Sequence, residues 1–218
     1  MTNPIWLVVL ASAVAAFPIA IGLLTSYIKV SVVLGMLRSG IGAQQVPSGL
    51  IIMVLSLAMT AFIMAPVIKD TAQAARDGKF LDTSRPPNLS DLESLTLLTA
   101  PWRQFMQKHS GQREINTLRT LSVAGDAREA GEQNQDGALE LRILIPAFVL
   151  TEIKEGFAMG FVLLLPFLAI DLIVANILAG MGMYMLSPMM ISLPLKLILF
   201  VAADGWIVLT KGLVDSYL

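Results

Sequence analysis

Long apolar runs and one polar stretch divide the chain. Its first part carries two apolar runs, residues 5–24 and residues 46–68, and each provides about the 20 residues of helix that a bilayer core requires. Between them, residues 38–47 contain two glycines and end on a proline, a composition typical of a turn. The pattern predicts a hydrophobic helical hairpin over residues 1–68.

The first apolar run is interpreted as a retained membrane span. No Lys or Arg precedes it, and it is longer than the core of a typical signal peptide. Ala11, Ala13 and Ala15 resemble a small-residue cleavage motif, but the missing basic region argues against cleavage. Pro18 is expected to kink this helix, which then continues through residues 29–37.

Residues 69–142 have a different character from the runs around them. They contain 10 of the 15 basic and 11 of the 16 acidic residues, which indicates an extramembrane insert. Ser90 and Glu93 have the spacing of a helix capping box, so short helices are predicted there. Residues 123–138 are polar and contain glycine, and we expect them to be mobile unless a partner orders them.

The remaining segment, residues 143–218, has apolar runs that charges and prolines interrupt. A charged step lies at residues 151–155, and Pro166, followed by Asp171 in mid-run, predicts a bent or interrupted helix. A last apolar run covers residues 189–209. Hydropathy therefore predicts four spans. The predicted fold class is all-α, with membrane-type hairpins, the second built from broken helices, and a polar α-helical insert.

Composition identifies an integral membrane protein and excludes several functions. Of the 218 residues, 56% are hydrophobic and 14% are charged, and the formal net charge is −1, so no basic field favours nucleic acid. Cys is absent and His109 is the single histidine, which argues against a metal site or a His-based triad. No phosphate-binding or nucleophile motif occurs. We predict no enzyme activity, no metal and no cofactor.

The loop charges predict an orientation. Arg38, with Lys29 nearby, favours a cytoplasmic location for the turn after the first helix, because short basic loops stay in the cytoplasm. The insert and both termini would then face the periplasm across a bacterial inner membrane. Gln44 and Gln45 are interpreted as polar residues of that exposed turn.

Six ionisable residues interrupt the apolar sequence of the last segment: Glu152, Lys154, Glu155, Asp171, Lys196 and Asp204. Charges in hydrocarbon are costly unless protein, water or an opposite charge satisfies them, and we interpret these six as contacts that fix assembly. Glu152 and Glu155 share a helix face, for which a solvated helix end at the membrane surface is the alternative. For the later acids, a proton relay is the competing function.

Five methionines cluster within residues 179–190: Met181, Met183, Met185, Met189 and Met190. Glycines and Pro188 among them predict a bend. A single methionine commonly fills a gap in a core, whereas a cluster at a bend can form a soft apolar ring that closes a pore by excluding water. The residues alone leave both interpretations open.

Three motifs carry a family resemblance. They are TSYIKVSVVLGMLRSGIGAQQVP at residues 25–47, IPAFVLTEIKEGFAMGFVLLLPFLAIDLIVANIL at residues 145–178, and GMYMLSPMMISLPLKLILFVAADGW at residues 182–206. Together they resemble the R subunit of the type III secretion export apparatus, which the flagellar system calls FliP. The match covers most of the chain outside the insert.

The resemblance implies a protein-conducting gate. Several copies of such a subunit, usually five, assemble with S and T subunits into a helical, conical pore for unfolded secreted proteins, with U and V subunits nearby and the membrane lipid around it. A methionine gasket closes the family's pore, and it maps onto Met183 and Met185, with Met189 and Met190 as further contributors and Tyr184 between the first two. The compact chain resembles injectisome members more than flagellar ones.

Two other functions compete with the gate. A four-span ion or solute transporter would use Asp171 and Asp204 as coupling sites and the proline and glycine breaks as gating elements. A purely structural subunit would nucleate assembly without sealing a pore.

Overall fold

The computed structural model describes residues 11–12, 15, 18–42, 47–77, 92–126 and 136–218. Every regular element in these ranges is an α-helix, which confirms the predicted all-α class. The helices are α1 (Pro18–Leu24), α2 (Tyr27–Ile41), α3 (Gly49–Asp77), α4 (Leu92–His109), α5 (Gln112–Asp126), α6 (Asp136–Gly180), α7 (Pro188–Ala202) and α8 (Gly205–Asp215). Residues 127–135 of the stretch predicted to be mobile lie outside the described residues.

The chain divides into two compact units. The first contains Met1–Ser26 and Met64–Glu152, and the second contains Tyr27–Ile63 and Ile153–Leu218. Helices α3 and α6 each contribute to both units. The three segments predicted from composition, residues 1–68, 69–142 and 143–218, remain a prediction about membrane and extramembrane parts.

The helix predicted to continue from the first apolar run into residues 29–37 is broken instead. The break lies at Thr25 and Ser26, between α1 and α2, and the Thr25 hydroxyl donates to the Ile21 carbonyl. The same kind of bond occurs at Thr60 and Thr151 within continuous helices, so it accompanies the break and does not explain it. Most of the run before Pro18 lies outside the described residues. This includes Ala13, the middle alanine of the cleavage motif.

Helix α3 is longer than the predicted run of residues 46–68. It passes Pro66 and continues to Asp77, because residues 69–76 are polar but include three alanines, a glutamine and an arginine, all good helix formers. Polarity ends the apolar run without ending the helix. Gln44 and Gln45 lie outside the described residues.

Helix α6 is uninterrupted for 45 residues. Of the bent or interrupted helix predicted near Pro166, the interruption is therefore wrong, and the bend stays a prediction. Proline removes one backbone hydrogen bond and crowds the preceding turn. The residues on both sides are apolar, and in an apolar environment a backbone N–H or C=O group without a hydrogen bond costs several kcal/mol. The rest of the helix therefore stays intact. At about 1.5 Å per residue the helix is roughly 68 Å long.

In the first unit, α4 and α5 meet at Ser110 and Gly111 and pack on the beginning of α6. The Gly111 amide donates to the Thr151 hydroxyl at 2.9 Å. Nearby, the Phe105 and Phe148 rings pack edge to face, with centroids 5.7 Å apart, and both are buried. The helices predicted within the insert therefore exist and are joined to the apolar part of the chain through α6.

In the second unit, α2 lies close against α6 because glycines line their contact. A Cβ added to Gly160 would overlap Met36 Sδ, one added to Gly40 would overlap Leu164 Cδ2, and one added to Gly156 would lie 3.3 Å from the Lys29 Cα. Small residues allow this close approach of two backbones.

The last apolar run, predicted as one span over residues 189–209, is two helices. Helices α7 and α8 meet at Ala203 and Asp204 with a bend of 63°, and Asp204 has a φ of 50°, a conformation that Asp adopts more readily than most residues. The Phe200 ring occupies the space where a Cβ of Gly205 would be and packs edge to face on Trp206 at 5.2 Å.

Two of the described helices, Gly49–Arg76 within α3 and Leu141–Gly180 within α6, are long and apolar enough to cross a membrane. The number rises to four if the broken pairs α1 with α2 and α7 with α8 each count as one span. The predicted total of four is therefore reached only with two broken spans.

Candidate functional site: the methionine turn and its lysine attachments

Three of the five clustered methionines, Met181, Met183 and Met185, lie in the connection between α6 and α7, residues 181–187, here called the methionine turn. Helix α6 ends in a Schellman motif: the Met183 amide donates to the Leu178 carbonyl at 2.9 Å, and the Gly182 amide donates to the Ala179 carbonyl at 3.1 Å. Gly182 has a φ of 73°, which glycine adopts without strain. The predicted bend is confirmed, and these hydrogen bonds define its geometry.

Helix α7 begins immediately after the turn. Ser187 is extended at the N-cap position and Pro188 is the first helical residue, where its missing amide hydrogen removes nothing from the helix. Met189 and Met190 therefore lie in the first turn of α7, next to the methionine turn.

The candidate gasket side chains are exposed. Met185 is fully exposed, Tyr184 and Met190 nearly so, while Met183 and Met189 are each about two-fifths exposed, at 39% and 43%. None of the five fills a gap in the interior of the chain, which is what methionine does most often. The turn presents a soft, polarizable apolar surface at the end of a long helix.

Met189 differs from the other candidates because it faces the end of α2. A Cβ on Gly42 would lie 3.2 Å from Met189 Cε and 3.7 Å from Lys196 Nζ. Gly42 also has a φ of 79°, so a larger residue there would be strained in its backbone as well as crowded.

Lys196 connects α7 to two other helices of its unit by hydrogen bonds. Its ammonium donates to Asp171 Oδ2 on α6 at 2.6 Å and to the Gly40 carbonyl on α2 at 2.9 Å. The Lys196 side chain is almost completely buried, whereas Asp171 is 39% exposed. Asp171 and Lys196, two of the six predicted charge contacts, form an ion pair within one chain.

A second buried lysine, Lys29 on α2, was not among the predicted site residues. Its ammonium donates to Glu155 Oε2 on α6 at 2.7 Å, and its side chain is fully buried while that of Glu155 is 50% exposed. Lys29 could have been found in the sequence by the feature that identified Lys196, which is a lysine flanked by apolar residues. From the sequence, Lys29 contributes only to the predicted orientation.

A sequence profile of the FliP family matches residues 9–213 of the chain. The chain belongs to the FliP family. Hypersensitivity response secretion protein HrcR of Ralstonia nicotianae is 37% identical over 215 residues, which cover 97% of this chain and 96% of the relative. Virulence protein YscR of Salmonella typhimurium is also 37% identical, covering 99% and 97%.

Flagellar biosynthetic protein FliP of Rhizobium meliloti is 36% identical, and the match covers 98% of this chain and 84% of that relative. The names of FliP family relatives thus include both secretion and flagellar proteins. The family resemblance predicted from the three motifs is confirmed.

The other predicted charge contacts of this FliP family chain do not gather into one site. Glu152 is fully buried in the first unit, which contradicts a solvated helix end at that position. Lys154 is exposed. Asp204 is exposed at the corner between α7 and α8, and its side chain makes no capping hydrogen bond.

A broad apolar surface surrounds the methionine turn in this FliP family chain. Along α6, exposed residues recur at helical spacing on one face: Phe157, Phe161, Leu165, Leu168 and Leu172. On α7 the buried face is narrow, consisting of Ser192, Lys196 and Phe200, and the opposite face is apolar and exposed. A surface of this extent is typical of contact with lipid or with other protein chains.

No group of three acidic or histidine side chains that could hold a metal ion is found among the described residues. The described site residues offer exposed apolar side chains and a buried ion pair.

Proposed function

We propose that this chain is a core subunit of a type III secretion export gate, in which copies of the methionine turn close a protein-conducting pore. The observation that carries the proposal is the exposure of Met183, Met185 and Met190 around a turn whose backbone is fixed by hydrogen bonds at the end of α6. Family membership supports it, since relatives are named for secretion and flagellar biosynthesis.

The proposed mechanism is geometric. A ring of flexible apolar side chains excludes water and ions at rest. An unfolded polypeptide displaces such a ring without a fixed complementary surface, because methionine is unbranched and adapts its shape. Tyr184 would border the ring, and Met189, held near Gly42, would join the ring to the body of the subunit. No catalytic step is involved, and the chain acts without a cofactor.

One chain supplies only one methionine turn, so closure requires several copies. We propose a homo-oligomer of five in the inner membrane, joined by S and T subunits, next to U and V subunits, and projecting to the periplasmic side. The exposed apolar faces of α6 and α7 provide the surface that copies or lipid would cover. Relatives named for virulence and the hypersensitivity response favour an injectisome over a flagellar apparatus.

The transporter alternative has less support. Asp171, its first coupling site, is bonded to Lys196, and Asp204 lies at an exposed corner. Pairing with a buried lysine suits Asp171 to fixing the packing of α7 on α6.

The gate is tested by replacing Met183 and Met185 together with alanine. Ion leakage through the membrane should rise while the complex still assembles, because a smaller side chain leaves the pore centre open to water. Met53→Ala on α3, an exposed methionine away from the turn, is the control and should leave the seal intact. A tight seal in the assembled double variant would contradict the gate, and native mass spectrometry of the purified complex tests the number of copies.

A further inference from the structure

Lys29 is a fully buried cation in the first turn of α2. A buried ammonium is tolerated only where partners replace the water it has lost. Glu155 supplies one partner at 2.7 Å, but half of the Glu155 side chain is in contact with solvent. The carboxylate therefore lies at the border of the buried region, and Lys29 lies inside it.

The second partner of Lys29 is an aromatic ring. Its Nζ lies 4.1 Å from the centroid of the Tyr217 ring, and Tyr217 is buried although it follows the end of α8. A cation over a ring face is attracted by the ring's negative face, most strongly where water is excluded. Lys29 thus joins three separate segments, and we call Lys29, Glu155 and Tyr217 the Lys29 clasp.

The Lys196 ion pair and the Lys29 clasp hold the α7–α8 pair on either side of the corner between these helices. Lys196 attaches α7 to the end of α2 through the Gly40 carbonyl. The Lys29 clasp attaches the residues after α8 to the start of the same helix. Between the two attachments lies the corner at Asp204, which no side-chain cap stabilises.

We propose that Lys29 and Tyr217 are positioning residues of the methionine turn, which rests on the proposed gate function. With both attachments closed, α7 and α8 are held along α2, and the turn that leads into α7 has one position. Without the Lys29 clasp, the residues after α8 lose this contact with α2, and α7 keeps its Lys196 attachment and the packing of Phe200 on Phe167. The turn then loses its fixed position although every methionine is still present.

A cysteine reporter tests the clasp directly, because the chain contains no cysteine. Leu213 on α8 is fully buried, so a Leu213→Cys variant of the assembled complex should react slowly with a maleimide. Adding Tyr217→Leu should raise the labelling rate about tenfold, the change expected when a desolvated cation–ring contact is lost. Tyr217→Phe keeps the ring face and should be labelled more slowly than Tyr217→Leu.

Two controls keep this experiment interpretable. Leu209→Cys, also buried on α8, replaces the reporter if Leu213→Cys does not fold. Ile207→Cys is exposed and should be labelled at the same rate in every background. A reporter that stays protected in Tyr217→Leu would overturn the clasp.

A charge exchange separates the clasp from a simple ion pair. In the double variant Lys29→Glu with Glu155→Lys, opposite charges still face each other, but a carboxylate now lies against the negative face of the Tyr217 ring. The clasp predicts that reporter labelling stays about tenfold faster than in the parent. Restored protection would reduce Lys29 to an ordinary ion pair and overturn the role of Tyr217.

Ion leakage measured on the same variants distinguishes the clasp from the gate. Tyr217→Leu should leak and Tyr217→Phe should not. If Tyr217→Leu exposes the reporter yet remains sealed, while the Met183 and Met185 double variant leaks, the gate stands and the positioning role is overturned. If the methionine double variant does not leak either, the gate function has failed, and the labelling rates alone decide whether the clasp holds α8.

Discussion

Two helix pairs in this chain, α4 with α5 and α7 with α8, are attached to α6 in contrasting ways. The first pair is held by rings and by a neutral hydrogen bond from Gly111 to Thr151. The second is held by a buried ammonium, that of Lys196. The polarity of their outer faces is reversed relative to these inner contacts. Helix α5 exposes hydroxyls such as that of Thr117, whereas α7 exposes apolar residues such as Ile198.

The difference shows how each pair suits its surroundings. A pair with a polar outer face remains hydrated and needs only apolar and neutral contacts inside. A helix pair with an apolar outer face can be covered by lipid or protein. Its few charged side chains lie on the inner side, where an opposite charge or a hydrogen-bonding group compensates them. In α7, this inner side is the stripe of Ser192, Lys196 and Phe200.

The largest effect should come from breaking the charged attachment of α7 at its acid. Asp171→Asn removes the negative charge that neutralises the buried Lys196 ammonium and leaves it only neutral acceptors, the amide oxygen and the Gly40 carbonyl, and breaking a buried pair in this way costs about 3 to 5 kcal/mol. Lys196→Met should cost less, because the remaining Asp171 carboxylate is partly hydrated. Thermal unfolding of the detergent-solubilised protein, followed by tryptophan fluorescence, compares them. A larger loss for Lys196→Met would contradict the assignment of the buried charge.

The contrast between outer faces is tested by placing a lysine on each. Ile198 on α7 and Leu121 on α5 are similarly exposed, at 65% and 63%. Ile198→Lys should cost about 2.5 to 3.5 kcal/mol, as a lysine does at the centre of a membrane helix, and should lower the yield of membrane-assembled complex. Leu121→Lys should change stability by less than about 0.5 kcal/mol. Equal yields would show that both faces meet water.

The glycine contact between α2 and α6 determines whether Gly40 can accept the Lys196 hydrogen bond. Gly40→Ala should cost about 1 to 3 kcal/mol, because its Cβ overlaps Leu164 and must displace it. Gly35→Ala in the same helix meets open space and should stabilise the chain by up to about 1 kcal/mol through helix propensity. The same unfolding measurement applies, and a shift of equal sign in both variants would refute close packing at Gly40.

The smallest effect is expected at the neutral attachment of α5. Thr151→Val removes the acceptor of the Gly111 amide and should cost about 0.5 to 1.5 kcal/mol. Hydrogen exchange at the start of α5 should accelerate. Thr117→Val has the same shape change but loses only a bond to the Arg113 carbonyl of its own helix, so exchange at Gly111 should remain slow. Unchanged exchange in Thr151→Val would indicate that this corner is held by ring packing alone.

Local pattern predicted the elements well and their breaks poorly. The apolar runs became α3, α6 and α7, and the glycines and proline of the methionine turn were correctly interpreted as a bend. Pro166 was overestimated as a helix breaker, because the apolar neighbours that continue the helix outweigh one missing hydrogen bond. The breaks at Thr25–Ser26 and at Asp204 were missed, because neither position carries a proline or follows a glycine.

The sequence by itself determined that this protein is all-α, rich in membrane-type helices and a member of the FliP family, because hydrophobic periodicity and motif residues are local properties of the chain. Only the tertiary structure decided which charges meet. Lys29 and Glu155 lie 126 positions apart, and Lys196 and Gly40 lie 156 apart. No local pattern specifies such pairs, since they depend on how α2, α6 and α7 approach one another through their glycines and buried side chains.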